Sequence, residues 1–336
     1  MITKIWYENN VLQYLLFPLS LIYRTLISIR RFLYKKNIFK THKFNIPLII
    51  VGNITVGGTG KTPLVIALVK ALQKNGFHPG VISRGYGGKS KIWPVFVDKN
   101  SDPVLVGDEA ILIAKNTGVP VVVGPKRVES VVLLTKQRDA RINVIVSDDG
   151  LQHYALDRTI EIAVIDSTRG FGNGFCLPAG PLREPISRLK FVDFIVVNGK
   201  EILDAATHTH TTMQFVIDDI INIIDDNKKI TPSELKHKKI MVIAGIGNPD
   251  RFFESLRALD LSFETSVFPD HYFFQQKDFE SLTADIILMT EKDAVKCGTF
   301  CDDRFYRVRG HADLEANFVE KLIKKTRILQ NFFESK

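Results

Sequence analysis

Cysteine is scarce in this chain, with three residues among 336. An odd number of cysteines cannot all pair, so a disulfide framework is excluded as the source of stability. Cys297 and Cys301 stand close together, but no matching histidines accompany them, and a metal site there is improbable. We therefore expect a reduced, cytosolic setting.

The sequence also lacks internal repeats, low-complexity segments and an uninterrupted apolar run. A membrane span needs about 20 nearly uncharged residues, whereas polar and charged residues interrupt the apolar stretch 6–34: Gln13, Pro18, Ser20, Arg24 and Ser28. The absence of a small-residue cleavage site after this stretch disfavours a signal peptide.

A basic cluster follows this stretch and consists of Arg30, Arg31, Lys35, Lys36, Lys40 and Lys43. An apolar, aromatic-rich helix followed by basic residues is typical of an anchor that lies on a membrane surface. The alternative is a helix packed on the protein's own core, with its basic residues in water. The two interpretations are compatible if one face of the helix contacts the membrane and the other packs on the protein core.

Length and charge set bounds on the kind of protein. A chain of 336 residues suits two domains or one large domain, and an apolar share of 45% is ordinary for a packed globule. The net charge of +8 favours an acidic partner: nucleic acid, a phosphorylated substrate or an anionic membrane surface.

The most informative motif is the glycine-rich segment 51–63, VGNITVGGTGKTP, which ends the apolar run 47–51. A strand, a glycine-rich loop and a helix together hold the phosphates of a nucleoside triphosphate, because small residues let backbone N–H groups point at them. Lys61 can reach the outer phosphates, and the Thr62 hydroxyl can ligate Mg²⁺. The predicted loop comprises Thr55, Val56, Gly57, Gly58, Thr59, Gly60, Lys61 and Thr62. The alternative is a glycine-rich turn with an exposed lysine.

Short apolar runs alternate with helical segments along the chain. Runs typical of strands cover 80–83, 119–123, 142–146, 160–165 and 194–197. This alternation predicts an α/β fold with a mainly parallel sheet and helices on both faces. Ligands of such sheets bind at the carboxyl ends of the strands, so we expect the functional residues there.

A polar stretch at 207–238 predicts a linker before a second αβ unit. That unit comprises a strand at 239–244, a strand at 286–290 and a closing helix at 313–332. The predicted parts are a membrane-associating helix at 1–36, a P-loop domain at 37–206, the linker at 207–238 and a smaller αβ domain at 239–336.

Acidic pairs follow predicted strands or open a predicted helix. Asp148 and Asp149 come after the strand 142–146, where nucleotide-binding folds hold Mg²⁺. Asp-Gly is also a common turn pair, which is the alternative. Asp108 and Glu109 open a helix, where carboxylates are favoured by the helix dipole alone. Their functional interpretation is a base that accepts the proton of an attacking hydroxyl.

Loops with basic residues follow other strands. Tyr86 lies in the glycine-rich loop 83–88, Arg127 follows the strand 119–123, and a proline-braced loop presents Arg183 and Glu184. Arginine suits bidentate contact with phosphate. Any one of these cations could be a solvated surface residue, but several at strand ends indicate an anion site.

Six motifs occur in a fixed order: GNITVGGTGKTP at 52–63, SRGYG at 83–87, GDE at 107–109, DDGLQH at 148–153, LPAGPLRE at 177–184 and DH at 270–271. Together they closely resemble the tetraacyldisaccharide 4'-kinases, the lipid A 4'-kinases of Gram-negative bacteria. The resemblance extends from the N-terminal helix to about Val295. Members use ATP and Mg²⁺ to phosphorylate the 4' hydroxyl of a tetraacylated glucosamine disaccharide 1-phosphate, which gives lipid IVA.

The resemblance implies a role for each motif. Asp108 would activate the sugar hydroxyl and pair with His271, although a lone histidine is more often structural. Lys61 and Arg183 would complete the catalytic set. The metal and its surroundings would involve Thr62, Glu109, Asp148, Asp149 and Gln152, and the substrate contacts would be Tyr86, Arg127 and Glu184. How the carboxylates divide between metal ligation and base stays open.

The resemblance also implies partners and a location. It implies a monomer at the cytoplasmic face of the bacterial inner membrane, peripheral or monotopic, with an acylated disaccharide lipid as partner and no nucleic acid. Two rival classes share part of the pattern. A P-loop ATPase switch of the partitioning or insertion type usually carries a second lysine where Val56 stands. A nucleotide-binding or lipid-carrier module would bind ATP without transferring phosphate.

Overall fold

The computed structural model describes residues 2–8, 10–136, 141–199, 210–297 and 301–335. The described strands are β1 (Leu48–Gly52), β2 (Pro79–Ser83), β3 (Val95–Val97), β4 (Val121–Val123), β5 (Val144–Ser147), β6 (Ile160–Asp166), β7 (Phe194–Asn198), β8 (Thr211–Asn222), β9 (Lys229–Ile230), β10 (Ile240–Ala244), β11 (Glu264–Val267), β12 (Ile286–Thr290) and β13 (Phe305–Leu314).

The described α-helices are α1 (Ile2–Tyr7), α2 (Leu12–Lys35), α3 (Lys61–Lys74), α4 (Pro103–Val106), α5 (Asp108–Thr117), α6 (Arg127–Thr135), α7 (Pro232–Leu235), α8 (Pro249–Arg257), α9 (Glu291–Ala294) and α10 (Ala316–Glu334). Two 3₁₀ segments, Ile186–Phe191 and Gln276–Asp278, lie between strands.

The predicted mainly parallel sheet is confirmed. Strands β7, β6, β1, β5, β2 and β4 form a parallel array, which we call the N-terminal half-sheet, with β3 antiparallel at its edge. Successive residues of β1 face opposite sides, so Ile49 and Val51 pack with α3 and α5 while Leu48 and Ile50 pack with α6. Burial on both faces explains why these strands are continuous apolar runs.

A second parallel array, which we call the C-terminal half-sheet, consists of β11, β10 and β12. It has its own apolar core, in which Val242 and Leu288 pack against Phe253 and Leu256 of α8. The described strands of both arrays belong to one continuous sheet. The predicted division at 206/207 lies outside the described residues and stays a prediction.

A long antiparallel ribbon of β8 and β13 joins the two half-sheets. β7 pairs with the first residues of β8, with Val196 opposite Thr211. At the other end of the ribbon, β12 pairs with the first residues of β13, with Leu288 opposite Tyr306, and Tyr306 faces Asn222 of β8. Because β8 and β13 are antiparallel, the carboxyl ends of the two half-sheets point toward each other along the ribbon.

Two predictions need correction here. The polar stretch 207–238 contains β8, a 12-residue strand, where a linker was predicted. The closing helix begins at Ala316 rather than 313, because Asp313 and Leu314 still pair with β8.

The N-terminal helix α2 buries two polar side chains against the protein and exposes a broad apolar face. Gln13 and Ser20 are each 4% exposed; Gln13 accepts a hydrogen bond from Asn173, and Ser20 donates one to the Cys176 carbonyl. Large apolar residues of the opposite face are exposed: Leu12, Tyr14, Leu15, Leu19, Leu21, Ile22, Leu26, Ile29 and Phe32. Among the described helices, α2 alone is long and apolar enough to cross a membrane by length and composition.

Candidate active site

The glycine-rich loop connects β1 to α3, as predicted. Gly57 and Gly60 have φ of 104° and 89°, left-handed values that favour glycine. A Cβ at Gly60 would lie 2.2 Å from the Asn198 amide nitrogen, which donates a hydrogen bond to the Thr59 carbonyl. The turn therefore requires glycine for space as well as for backbone conformation.

Lys61 begins α3, and its ammonium points back across the loop. It lies 3.3 Å from Asn53 Oδ1 and 3.5 Å from Asp149 Oδ1. Thr62 follows it and is buried. A cation, a hydroxyl and the N-terminal end of a 14-residue helix thus meet at the carboxyl end of β1, an arrangement suited to phosphate.

Asp149 is held by two cations. The Arg183 guanidinium donates to both of its carboxylate oxygens, at 3.2 and 3.1 Å. Burial opposes its ionisation, but the charges of Lys61 and Arg183 outweigh burial and hold the pKa of Asp149 well below its usual range. Asp149 therefore stays a carboxylate that braces Lys61 and Arg183.

Its neighbour Asp148 has the opposite environment. The side chain is 1% exposed, and burial, together with the carboxylates of Glu109 and Asp149, raises the pKa of Asp148 to about 7. Ser83 donates to Oδ2 at 3.4 Å, whereas Oδ1 has no hydrogen-bond partner among the residues described. Burying a carboxylate oxygen without a hydrogen-bond partner is costly, so this oxygen is suited to bind a cation.

Gln152 and Glu184 support the start of the glycine-rich loop from the protein interior. The Gln152 amide donates to the Asn53 carbonyl and to Glu184, at 3.0 and 2.9 Å. Glu184 is 1% exposed and also accepts from Tyr154 and pairs with Arg188. The structure thus places Glu184 in the interior, and its burial does not favour the predicted contact with substrate.

Arg127 is likewise an interior residue. It is 2% exposed and donates to the backbone carbonyls of Gly124 and Asp148, at 2.8 and 3.3 Å. Its guanidinium therefore supports the strand ends that carry the acidic pair, and its burial does not favour the predicted phosphate or substrate contact.

Asp108 and His271 come from opposite halves of the chain and meet at the site. His271 Nδ1 lies 3.1 Å from Asp108 Oδ1 and 3.2 Å from Oδ2. Burial opposes ionisation of Asp108, but the hydrogen bond with His271 and the charge of Lys292 lower its pKa to about 2. Asp108 is therefore an oriented carboxylate at neutral pH.

Tyr86 covers this pair from the solvent side. Its ring is 58% exposed, and its centroid lies 4.8 Å from that of His271. Gly107, with φ of 88°, lets the start of α5 pass against this loop, because a Cβ there would lie 2.5 Å from the Tyr86 carbonyl. Tyr86, Asp108, His271 and Phe273 line a small pocket at this point.

Two lysines of the site were not predicted. Lys292 Nζ lies 3.1 Å from Glu109, 3.2 Å from Asp270 and 3.3 Å from His271 Nε2. Lys296 Nζ lies 3.5 Å from Asp108 and 2.9 Å from Asp293, and its side chain is 2% exposed. The feature of the sequence that could have indicated them is their position after the predicted strand 286–290.

The two half-sheets touch at two further places beside the loop. A Cβ at Gly247 would lie 2.7 Å from the Gly58 amide nitrogen, so the turn after β10 packs on the glycine-rich loop. Asn248 and Arg251 of the same region donate to Asp166 at the end of β6, at 3.0 and 3.1 Å. The residues of the site therefore converge from both halves.

A phosphate-binding loop, buried acidic residues beside it and an oriented carboxylate–histidine pair define a P-loop kinase. The comparison with protein families is specific: the model for tetraacyldisaccharide-1-P 4'-kinase, LpxK, matches residues 12–327. The chain belongs to this family.

Similar proteins support the same assignment. A tetraacyldisaccharide 4'-kinase of Nitrosococcus oceani is 46% identical over 318 residues, covering 95% of this chain and 92% of that protein. One from Methylobacillus flagellatus is 45% identical, covering 97% and 96%. A crystal structure of LpxK from Aquifex aeolicus in complex with ATP has a TM-score of 0.78 and 28% identity, covering 95% of this chain and 99% of that chain.

Proposed function

We propose that this protein transfers the γ-phosphate of ATP to the 4' hydroxyl of a tetraacyldisaccharide 1-phosphate, a step of lipid A biosynthesis that gives lipid IVA. Family membership supports the reaction. The observation that supports it in this chain is the contact of 3.1 Å between Asp108 and His271, which orients a carboxylate that is ionised at neutral pH.

In this mechanism Asp108 orients the sugar hydroxyl and accepts its proton. The hydroxyl oxygen forms a bond to the γ-phosphorus while the bond from that phosphorus to the β,γ-bridging oxygen breaks, and ADP leaves. Phosphoryl transfer has a loose transition state, so positioning matters more than the strength of the base. A carboxylate with a pKa of about 2 is sufficient because it is fixed in place by His271.

Lys61 and Arg183 would stabilise the charge on the phosphates. Both cations already share Asp149, at 3.5 and 3.1 Å, so they lie side by side at the end of β1. Charges fixed before the reaction need no reorganisation as it proceeds. We assign the binding of the triphosphate to the loop 55–62 on this basis.

Mg²⁺ fits the acidic side of the loop. Asp148 Oδ1 is buried and has no hydrogen-bond partner among the described residues, and Thr62 lies at the start of α3. The described part of the chain contains no cluster of three or more ligating side chains, and Mg²⁺ typically uses one or two carboxylates with phosphates and water. Asp148 and Thr62 would hold the ion, which neutralises phosphate charge when bound. Glu109 pairs with Lys292, and its predicted metal role stays a prediction.

The location we propose is the cytoplasmic face of the inner membrane, with α2 lying on the bilayer. A tetraacylated substrate stays in the bilayer, so the enzyme must reach it there. Ser20 and Tyr23 of α2 bond to the backbone of Cys176 and Arg183, so the anchor is attached to the loop that presents Arg183. The exposed apolar face is available to lipid.

One assay separates the proposed function from its rivals. The protein is incubated with ATP labelled at the γ-phosphate and a tetraacyldisaccharide 1-phosphate in mixed micelles, and the lipid fraction is separated by chromatography. We expect label in a bisphosphorylated lipid. Free labelled phosphate without labelled lipid would instead indicate an ATPase switch, and ATP binding without turnover would indicate a carrier module.

A further inference from the structure

We propose that Lys292 is a positioning residue that holds His271 as the neutral imidazole with its proton on Nδ1. The catalytic consequence of this inference rests on the proposed function, but the state of the ring does not. Lys292 lies in α9 of the C-terminal half, and its ammonium is within hydrogen-bond distance of three acceptors: Glu109 Oε1, Asp270 Oδ1 and His271 Nε2.

The chemistry of the ammonium decides which ring nitrogen carries the proton. An ammonium has three N–H donors and no acceptor. At 3.3 Å from Lys292 Nζ, His271 Nε2 must therefore present its lone pair. A neutral imidazole has one donor and one acceptor, so the proton lies on Nδ1 and is donated to Asp108 Oδ1 at 3.1 Å. The other tautomer and the imidazolium would both direct an N–H group at the ammonium.

Lys292 is needed because two carboxylates flank the ring. Asp108 lies on the Nδ1 side, and Asp270 Oδ1 lies 3.7 Å from Nε2. Two neighbouring negative charges favour the imidazolium. The Lys292 ammonium lies beside both Asp270 and the ring and opposes that charge. Burial does not neutralise it, because Glu109 and Asp270 raise the pKa of Lys292.

The remaining neighbours of the ring do not replace Lys292. The Tyr86 ring lies against the His271 ring at an angle of 52°, and Lys296 contacts Asp108 rather than either ring nitrogen. The backbone of His271 has φ of 60° and is held by a hydrogen bond of 3.2 Å to the Gly245 carbonyl. The ring is thus oriented by the main chain, while its protonation state depends on Lys292.

The consequence concerns Asp108. If the ring became an imidazolium, Asp108 would face a full positive charge at 3.1 Å and would accept the hydroxyl proton less readily. With a neutral ring, His271 donates one hydrogen bond and orients Asp108 without adding charge. Lys292 therefore keeps the base in one state across the neutral pH range.

The test measures the ring directly. Full-length protein labelled with ¹⁵N-histidine is studied by long-range ¹H–¹⁵N correlation without substrate, and His271 is assigned by the signals missing from His271→Gln. In the unaltered chain we expect a protonated Nδ1 and an unprotonated Nε2 at pH 7. In Lys292→Met we expect both nitrogens protonated at pH 7, because the two flanking carboxylates then act on the ring without the opposing ammonium. An unprotonated Nδ1 in the unaltered chain, or an unchanged ring in Lys292→Met, would overturn the proposal.

Matched variants separate this role from a structural one. Lys296→Met removes a neighbouring ammonium that does not touch Nε2, and it should leave Nε2 unprotonated at pH 7. Lys292→Arg should restore the neutral ring in part. If Lys292→Met does not fold, Asp270→Asn supplies the answer: with Lys292 in place, Nε2 should stay unprotonated and Nδ1 protonated at pH 7, and a protonated Nε2 would count against the inference.

The pH dependence of kcat tests whether the protonation state of the His271 ring affects catalysis. Lys292→Met should lose kcat several-fold more at pH 6.5 than at pH 8.5, with little change in KM for ATP, and Lys292→Arg should reduce this pH dependence. A pH-independent loss would overturn the catalytic consequence. A chain whose ring responds as expected but transfers no phosphate would refute the proposed function and keep the assignment of the ring.

Discussion

The two half-sheets contribute different kinds of group to one site. The N-terminal half-sheet supplies Lys61 and Asp149, whose partners Asn53 and Arg183 come from the same half. The C-terminal half supplies His271, whose partner Asp108 lies across the junction. The phosphate side is thus assembled within one half, whereas the base is completed only where the halves meet. Changes at the junction should therefore impair chemistry more than nucleotide binding.

The largest expected effect is on the base. Asp108→Asn removes the carboxylate that accepts the hydroxyl proton and should lower kcat by about 10²- to 10⁴-fold, the usual contribution of a positioned base. ATP affinity should change by no more than a few-fold, because the nucleotide contacts lie in the other cluster. Steady-state kinetics and calorimetric titration with ATP measure the two. Asp102→Asn, at the exposed cap of α4, is the matched control. A loss confined to ATP binding would contradict the role of Asp108 as the base and would indicate a role in nucleotide binding.

The next effect is on the phosphate side. Lys61→Ala should lower kcat by about 10²- to 10³-fold, the usual value of a single fixed electrostatic contact, and should weaken ATP binding as well. This joint loss distinguishes Lys61 from Asp108. The same two measurements apply, and Lys70→Ala on the exposed face of α3 is the control. Near-normal turnover would remove the loop from the mechanism.

A smaller effect is expected at the exposed apolar face of α2, the proposed membrane anchor. The triple change Leu15→Ser, Ile22→Ser and Leu26→Ser removes exposed apolar area from α2 without touching its contacts to the protein. Binding to vesicles that contain anionic lipid should fall by about tenfold or more, because apolar burial contributes roughly 25 cal/mol per Å². Co-sedimentation measures it, with Ile92→Ser as the exposed control. Unchanged co-sedimentation would rule out α2 as the anchor.

The last effect concerns stability rather than activity or binding, and it separates the two adjacent aspartates. The pKa of Asp148 is raised from 3.8 to about 7, so the folded protein holds a proton that the unfolded chain releases at lower pH. The free energy of unfolding must then fall as pH rises from about 4 to 7 and stay level above. Asp148→Asn should abolish this fall and stabilise the ligand-free protein at pH 8 by about 1–3 kcal/mol, because each pKa unit corresponds to about 1.4 kcal/mol.

Asp149 supplies the internal control for that measurement. Its pKa is lowered, so its stabilising effect is present above the unfolded value of 3.8 and is lost only as the pH falls further. Asp149→Asn should therefore destabilise the protein at pH 8. Thermal unfolding of both variants between pH 5 and 8 tests this pair of opposite signs. A shift of the same sign in both would show that the two carboxylates share one environment.

Much of the architecture could be predicted from local patterns. Continuous apolar runs identified the central strands within a few residues, because each is buried on both faces and needs no distant partner to be recognised. The pairing of β8 with β13 could not be predicted, because Asp218 and Asp219 make their segment polar. Their partners His311 and Arg309 lie about ninety residues away, with one pair 93 positions apart. These aspartates and their partners come together only when the chain folds, so no local pattern reveals the pairing.

The site was predictable to a similar extent. The glycine-rich loop has a mechanism that can be inferred from residue types alone, whereas His271 gained a role only through the family resemblance. Lys292 and Lys296 were missed because lysine is common and usually solvated. Their contacts with Glu109 and Asp108 depend on the meeting of the two halves, which no local pattern encodes.

The orientation of α2 has a practical consequence for handling the protein. Because Gln13 and Ser20 bond to the body of the molecule, the proposed anchor would present one stripe of one helix to detergent rather than a belt around the protein. Hydrophilic substitutions along that stripe leave these contacts in place. A form that needs no detergent should therefore be obtainable, and short-chain disaccharide acceptors that dissolve in water would be its natural assay substrates.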